Sequence, residues 1–156
     1  MRRADRQVTD LAEIEKIVQN CDVCRLGLCS DEMPYVVPMN FGYRLDGESL
    51  TLYFHCAGEG KKLDIIRQNA NAFFEMDCGH QLVQGKMGCD WSMNYESVMG
   101  SGAIVFLEDP QEKTEALACM MEHYAGRADF EFSPAMLRAV TVLKLTADAF
   151  TAKKRK

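Results

Sequence analysis

The chain has 156 residues, of which 47% are hydrophobic and 26% are charged, a balance typical of a folded protein and not of a disordered chain. Its formal net charge of −5 argues against non-specific binding to nucleic acid, which requires a basic surface. No apolar stretch approaches the roughly 20 residues of a membrane-spanning helix, and no apolar signal region follows the charged start at 1–6. We therefore expect a cytoplasmic protein with one domain over 1–156, a core at about 8–152 and a short solvated basic tail.

Seven cysteines lie scattered at positions 21, 24, 29, 56, 78, 89 and 119. An odd number with this spread predicts reduced thiols and not a disulfide framework. Cys21 and Cys24 have the spacing of a metal site, with Cys29 nearby, but no second pair of Cys or His completes a tetrahedral set. The apolar segment 23–28 instead favours cysteine as a small hydrophobic residue, and we expect no metal.

The chain begins with a predicted helix and two predicted strands. Asp10 as N-cap, with Glu13 three residues on, is typical of a capping box and predicts a helix that ends near residue 20. Strands are predicted over 23–29 and 35–43, with a polar turn at 30–32 between them.

A proline interrupts the second predicted strand. Because proline cannot donate to a ladder, Pro38 indicates a sheet edge, a bulge or a place where the strand leaves the sheet. The Asp46-Gly47 turn leads to a third strand, 49–55. Its alternation predicts that one face looks into the core, and the residues of that face are Leu50, Leu52 and Phe54.

Beyond this strand lie a glycine-rich turn at 57–62 and a helical pattern that runs to residue 69. A fourth strand is predicted over 72–76, a looser stretch over 77–94, and a long strand over 95–107. Glycines at 100 and 102 would permit a bend or bulge in the long strand.

The last part of the chain carries the clearest local signals. Asp109, Pro110 and Glu112 fit the N-cap, N1 and N3 positions of a helix that ends at Gly126. Ser133 and Pro134 begin a short helical turn in the same way, and 139–145 closes the chain as a strand. Five or six mostly antiparallel strands with three or four short peripheral helices predict an α+β barrel and not a doubly wound sheet.

His55 is followed within seven residues by glycines and lysines. Gly58 and Gly60 allow sharp bending of the backbone, and Lys61 and Lys62 add positive charge where a helix N-terminus exposes N–H groups. This pattern suits a phosphate pocket, and an ordinary solvated turn is the alternative. His123, inside a helical pattern, is interpreted as structural or surface.

Three segments carry a resemblance to a known family. They are 53–63 (Tyr-Phe-His-Cys-Ala-Gly-Glu-Gly-Lys-Lys-Leu), 37–43 (Val-Pro-Met-Asn-Phe-Gly-Tyr) and 95–98 (Tyr-Glu-Ser-Val). Together they resemble the pyridoxamine 5′-phosphate oxidase-like flavoproteins, and within that superfamily the branch of 5-nitroimidazole resistance (Nim) proteins. The resemblance covers roughly residues 8–154.

This resemblance implies a split β-barrel homodimer that holds FMN in two grooves between the subunits. The residues implied along the flavin ring are Pro38, Met39, Asn40 and Phe41. Those implied near the ribityl chain and phosphate are His55, Cys56, Lys61 and Lys62, with Ser97 reaching in from the long strand. Trp91 and Met93 would cover the substrate side of the ring, or else pack in the core or dimer interface.

The implied activity is that of an FMN-dependent oxidoreductase that reduces small nitroaromatic acceptors with electrons from NAD(P)H. Vitamin B6 oxidation is not expected, because the arginine-histidine-arginine arrangement of true pyridoxamine phosphate oxidases is missing near the C-terminus. The alternatives are a non-catalytic flavin- or haem-binding protein for storage or sensing, and a structural dimer with an empty groove. The sequence identifies no catalytic residue and no physiological acceptor.

Overall fold

The structure is a computed structural model that describes residues 3–30 and 33–156. The predicted turn at 30–32 therefore lies largely outside the described residues. The strands are β1 (Gln7–Val8), β2 (Cys24–Cys29), β3 (Pro34–Met39), β4 (Gly42–Asp46), β5 (Ser49–Cys56), β6 (Asn71–Val83), β7 (Ser92–Leu107) and β8 (Thr141–Arg155). The α-helices are α1 (Leu11–Gln19), α2 (Lys61–Gln68), α3 (Pro110–Ala125) and α4 (Pro134–Ala139).

All strands belong to one sheet in the order β3-β2-β6-β7-β8-β5-β4, with β1 added against β8. Every pairing among the described residues is antiparallel. The edge strands β3 and β4 do not pair with each other, so the sheet is not closed. This confirms the predicted α+β fold, an antiparallel split-barrel type with short peripheral helices. In the described residues no helix combines the length and apolarity that crossing a membrane requires.

The core is built as the periodicity predicts. Leu50, Leu52 and Phe54 of β5 are fully buried, which confirms the predicted inward face. All three predicted N-caps are confirmed as well, and Ser133 accepts from the backbone N–H of residue 136 at the start of α4. The Asp10 carboxylate accepts from the backbone N–H groups of residues 12 and 13, and Asp109 caps α3 in the same way.

One predicted strand is in fact two. Residues 35–43 are divided at Asn40 and Phe41 into β3 and β4, which lie at opposite edges of the sheet. The backbone N–H of Phe41 donates to the Tyr124 hydroxyl of α3 and not to a neighbouring strand. The division thus comes from a contact with a helix about 80 residues later, which no local pattern reveals.

The long strands extend well beyond their predicted bounds, and the described residues contain eight strands in place of the expected five or six. Within the stretch 77–94, predicted to be loose, residues 77–83 belong to the end of β6 and residues 92–94 to the start of β7, whereas 84–91 lie outside the strands. The expectation of a solvated tail is wrong, because β8 continues to Arg155. Lys154 Nζ lies 2.8 Å from a carboxylate oxygen of Glu13 and of Glu96, and its side chain is only 20% exposed.

Candidate functional site

Two of the predicted site residues line one apolar cavity of about 410 Å³. Asn40 lies in the link between β3 and β4, and His55 is the second-last residue of β5; both are exposed. The rest of the wall comes from α3, α4 and the segments beside them, with the residues Leu117, Met120, Met121, Tyr124, Phe132, Met136 and Val140. The cavity therefore joins the β3–β4 link to the end of β5 under a cover of helices.

The end of α3 holds the β3–β4 link in place. The Tyr124 hydroxyl accepts from the Phe41 N–H at 3.0 Å and donates to the Asp22 carbonyl at 2.8 Å. His123 Nε2 lies 2.9 Å from the Cys21 carbonyl, which can only accept, so Nε2 carries the proton. The side chain of Phe41 is fully buried, and its N–H is occupied. On this link the side chain free to meet a ligand is that of Asn40, and His123 has the structural role predicted for it.

A short loop leads from β5 to the start of α2. Gly60, the N-cap of this helix, has φ +137, a conformation that favours glycine, and offers no side-chain cap. A Cβ added at Gly58 or Gly60 would meet no atom within 4 Å, so open space lies before the helix. An uncapped helix start with open space in front of it suits an anion.

Two lysines begin this helix. Lys61 Nζ lies 5.6 Å from the centre of the Tyr35 ring on β3, within reach of a cation–π contact. Burial raises the pKa of the Cys56 thiol, and the Lys62 ammonium opposes that shift. Cys56 thus lies between the His55 end of the cavity and the positive charge of α2. The chain from residue 55 to 62 can hold an elongated ligand with a ring at one end and an anionic group at the other.

The remaining predicted residues are not all brought to this place. Pro38 is exposed on the edge strand β3, which is one of the three alternatives predicted for it, and the Met39 side chain is buried. Ser97 is buried on β7 between Asp77 and Lys153. Leu107 on β7 lies at the same level of the sheet as His55 on β5, with β8 between them. From Leu107 to Ser97 the strand continues for ten residues, which is about 33 Å when extended. Within one chain, Ser97 is remote from His55.

Comparison with known proteins now identifies the family. The family model described as pyridoxamine 5′-phosphate oxidase matches residues 10–154. The chain belongs to the pyridoxamine 5′-phosphate oxidase family. This confirms the family resemblance given by the three sequence segments, and both segments that border the cavity lie inside the matched range. Among proteins with curated descriptions, none matches the chain.

Solved structures of other proteins are similar to this chain in fold. A candidate 5-nitroimidazole antibiotic resistance protein from Bacteroides thetaiotaomicron is 39% identical, with a TM-score of 0.81 over 94% of this chain and 85% of that one. A flavocytochrome from Azotobacter vinelandii (17% identity, TM-score 0.80, 100% of this chain and 72% of that one) shares the fold. So does an FAD- and haem-binding protein from Mycobacterium smegmatis (19% identity, TM-score 0.80, 97% of this chain and 74% of that one).

Sequence reasoning missed the helical wall of the cavity in this family member. The sequence predicts the helix that carries Leu117, Met120, Met121 and Tyr124, but it does not predict what these residues contact. The signal in the sequence that could have indicated a binding surface is the methionine content of this helix, because methionine is flexible and polarisable and is common at such surfaces. Trp91 and Met93 are exposed in the single chain, which rules out the core as their place.

Proposed function

We propose that this chain is an FMN-dependent oxidoreductase of the Nim type, which reduces small nitroaromatic acceptors with electrons from NAD(P)H. The observation that carries the proposal is the connection of two features by one short loop: the apolar cavity at Asn40 and His55, and the open, lysine-bearing start of α2. The description of the 39% identical Bacteroides protein as a candidate nitroimidazole resistance protein supports the choice of acceptor.

The residues present fit FMN. Its phosphate would lie at the uncapped start of α2, where Lys61 and Lys62 neutralise its charge. The Asn40 amide would hydrogen-bond the polar edge of the ring, and His55 would present its imidazole beside it. Bound FMN would supply reversible electron transfer between donor and acceptor. The chain itself binds, orients and screens the ring from water with the apolar wall of α3 and α4.

The overall reaction balances without a further reagent. Conversion of a nitro group to a nitroso group takes two electrons and two protons and releases water. The hydride of NAD(P)H supplies both electrons and one proton, and the solvent supplies the other proton.

The proposal includes a homodimer with FMN between the subunits. Ser97 is remote from His55 within one chain, so it could meet the flavin only from a second copy. An exposed apolar row on the outer face of the sheet gives such a copy a place to dock. The row runs from Val36 across Gly27 to Phe73 on three neighbouring strands.

The first test is FMN retention, measured by visible absorption after FMN is added and the protein is desalted. We expect about one FMN per chain, and the double variant Lys61→Ala/Lys62→Ala should weaken FMN binding by roughly 100-fold because two charge-assisted contacts to phosphate are lost. The matched control is Lys86→Ala/Lys156→Ala, which removes the same charge from exposed positions elsewhere. Equal affinity of the two double variants, or no FMN retained by the natural chain, would show that the proposal is wrong.

A non-catalytic flavin- or haem-binding protein is the second candidate. The cavity joins the imidazole of His55 to methionine side chains, and both are axial ligands of haem iron in proteins. The Azotobacter protein that shares this fold is a flavocytochrome, and the Mycobacterium protein binds FAD and haem. A haem titration followed at the Soret band, beside an assay of NAD(P)H oxidation with nitroaromatic acceptors, separates the two candidates. Haem binding that His55→Ala abolishes, without turnover, would favour the second.

A further inference from the structure

Two free thiols meet where the end of α1 packs against β6. Cys78 shares the inner face of β6 with the buried side chains of Phe74 and Met76. Its sulfur lies 3.7 Å from the carbonyl oxygen of Ile17, in the last turn of α1. Cys21, which follows that helix, has its thiol hydrogen-bonded to the Cys78 sulfur. Two thiols in such contact can form a disulfide after a small adjustment of their side chains.

The two thiols differ in access and in how they share a proton. Cys21 is fully buried, whereas Cys78 is partly exposed. Burial raises the pKa of the Cys78 thiol, and the hydrogen bond from Cys21 opposes that shift. Cys78 is therefore the sulfur of this pair on which a thiolate forms more readily. Because the thiolate is the form that attacks an oxidant, we expect Cys78 to react first.

A cavity of about 400 Å³ beside α1 leads to the Cys78 sulfur. Ile17 and Glu96 lie in its wall, and both contact this sulfur, which is 4.0 Å from a carboxylate oxygen of Glu96. Six of the eight wall residues have polar or charged side chains, so a small polar oxidant can enter with its hydration. The Glu96 carboxylate is placed to accept the proton that the Cys78 thiol releases.

The backbone at Cys21 holds the end of α3. The Cys21 carbonyl accepts from His123, and the next carbonyl, that of Asp22, accepts from the Tyr124 hydroxyl. The same hydroxyl accepts from the N–H of Phe41 in the link between β3 and β4. A shift of the Cys21 backbone toward β6 would lengthen these hydrogen bonds and loosen the link.

We propose that Cys78 is a site of oxidation by peroxides, that Cys21 resolves it to a disulfide, and that the disulfide loosens the hold of α3 on the β3–β4 link. In the first step the Cys78 sulfur attacks a peroxide oxygen, the O–O bond breaks, and a sulfenic acid and water form. In the second step the Cys21 sulfur attacks the sulfenic sulfur, and its proton leaves with the hydroxyl as a second water. Two thiols thus give two electrons to one hydrogen peroxide, and neither step uses a flavin.

Peptide mapping by mass spectrometry after treatment with hydrogen peroxide tests the site. The starting protein is Cys29→Ser/Cys89→Ser, which lacks the two exposed thiols and so avoids disulfides between molecules through them. We expect a linked pair of peptides that contain Cys21 and Cys78, and dithiothreitol should remove the link. No link, or a link from Cys78 to another cysteine, would overturn the proposal without the need for a variant in the core. In Cys21→Ala, made in the same protein, Cys78 should stop at the sulfenic acid, which dimedone labels.

Amide hydrogen exchange followed by NMR tests the effect on the link. The Tyr124 hydroxyl protects the Phe41 N–H in the reduced protein, and oxidation should speed exchange at Phe41 roughly fivefold, the effect of one lost hydrogen bond. Leu52 in β5, paired on both sides, is the control and should not exchange faster. Cys78→Ser, treated with the same peroxide, should leave exchange at Phe41 unchanged.

The outcomes distinguish this inference from the proposed function. Unchanged exchange at Phe41 in protein whose Cys21–Cys78 disulfide has formed would overturn the proposed effect on the link. Equal acceleration in Cys78→Ser would overturn it as well, because the change would then come from another site of oxidation. Neither measurement needs FMN, so a chain that forms the disulfide and loosens at Phe41 but never retains FMN would support this inference and overturn the oxidoreductase proposal.

Discussion

Three cysteines, Cys21, Cys24 and Cys119, lie in the core, where burial changes the chemistry of the thiol. Burial raises the pKa of all three, because an apolar environment disfavours the thiolate. The Cys119 thiol also donates to the Tyr43 carbonyl at 3.0 Å. The interpretation of Cys21 and Cys24 as small hydrophobic residues is thus confirmed by their complete burial, and neither has the accessible thiolate of a reactive cysteine.

The Cys24 thiol should make the stability of the protein depend on alkaline pH. Burial raises the pKa of Cys24 from about 9 to about 12. Below pH 9 the thiol is protonated in both folded and unfolded chains, whereas above it only the unfolded chain releases the proton. The unfolded state then binds fewer protons, so the free energy of unfolding should fall by about 1.4 kcal/mol per pH unit from Cys24 between about pH 9 and 12.

Urea unfolding at pH 8, 9, 10 and 10.5 measures this slope. Cys24→Ala should make the decline shallower by about one proton, although it lowers stability at every pH. Cys29→Ala, on the same strand but exposed, is the control and should leave the slope unchanged. If Cys24→Ala has the same slope as the natural chain, the alkaline loss of stability does not come from the Cys24 thiol.

At the residue scale, sequence reasoning found one half of the cavity and not the other. Asn40 and His55 could be named because they belong to short motifs that resemble a family, even though 15 residues separate them. Tyr124 could not be named, because its role depends on hydrogen bonds to residues about 80 and 100 positions away. Contacts of that range are formed by the tertiary fold, and no local pattern in the sequence encodes them.

At the element scale, the packing of β4 on α3 determines the shape of the cavity. Gly42, the first residue of β4, lies so close to α3 that an added Cβ would be 2.6 Å from the backbone nitrogen of Met120. Real side chains essentially never approach this closely, and a helix backbone cannot give way as a flexible side chain can. Glycine at this position therefore allows α3 to reach the sheet and to place Met120 and Tyr124 over the cavity.

Gly42→Ala should push α3 away from the sheet. We expect a loss of about 1–3 kcal/mol in the free energy of unfolding, typical of overpacking, together with weaker FMN retention, because α3 would no longer lie over the cavity. Urea unfolding and visible absorption after desalting measure the two effects. Gly88→Ala is the matched control, because its added Cβ would meet no atom within 4 Å, and it should change stability by less than about 0.5 kcal/mol. Equal effects of the two variants would show that the close approach at Gly42 does not matter.

Element boundaries were predictable where the signal is local. The caps of α1 and α3 were correct because a carboxylate that accepts from the first-turn N–H groups is a contact between near neighbours in sequence. The ends of β6, β7 and β8 were not, because strand pairing is long-range. β8, for example, continues to Arg155 because it pairs with Tyr95 on β7, although its own sequence there is basic and polar.

At the scale of the whole molecule, an exposed apolar row on the outer face of the sheet is the place where the proposed second copy would dock. Val36 and Phe73 are 62% and 51% exposed and lie on either side of Gly27. The hairpin formed by the ends of β6 and β7 adds exposed Leu82, Trp91 and Met93. Ser97 lies on the same long strand as this hairpin. In the proposed dimer, a copy docked here would bring its Ser97 toward the flavin of the first chain.

Phe73→Glu should convert the proposed dimer to a monomer. A carboxylate in the centre of an apolar interface loses its hydration without gaining a partner, so we expect the mass measured by light scattering to halve at micromolar concentration. FMN retention should fall with it, because each flavin would lose the residues of the second copy. Val105→Glu is the control: Val105 is exposed to nearly the same extent, 50%, but lies opposite Lys144, which can accommodate the new charge.

The two readouts together decide the architecture of the site. Loss of both the dimer and FMN in Phe73→Glu, with both kept in Val105→Glu, supports a flavin held between two copies. A natural chain that is monomeric while it retains one FMN would show that the dimer proposal is wrong and that Asn40, His55 and α2 suffice. A Phe73→Glu monomer that still retains FMN would separate assembly from binding, and would remove Ser97 from the set of residues that hold the flavin.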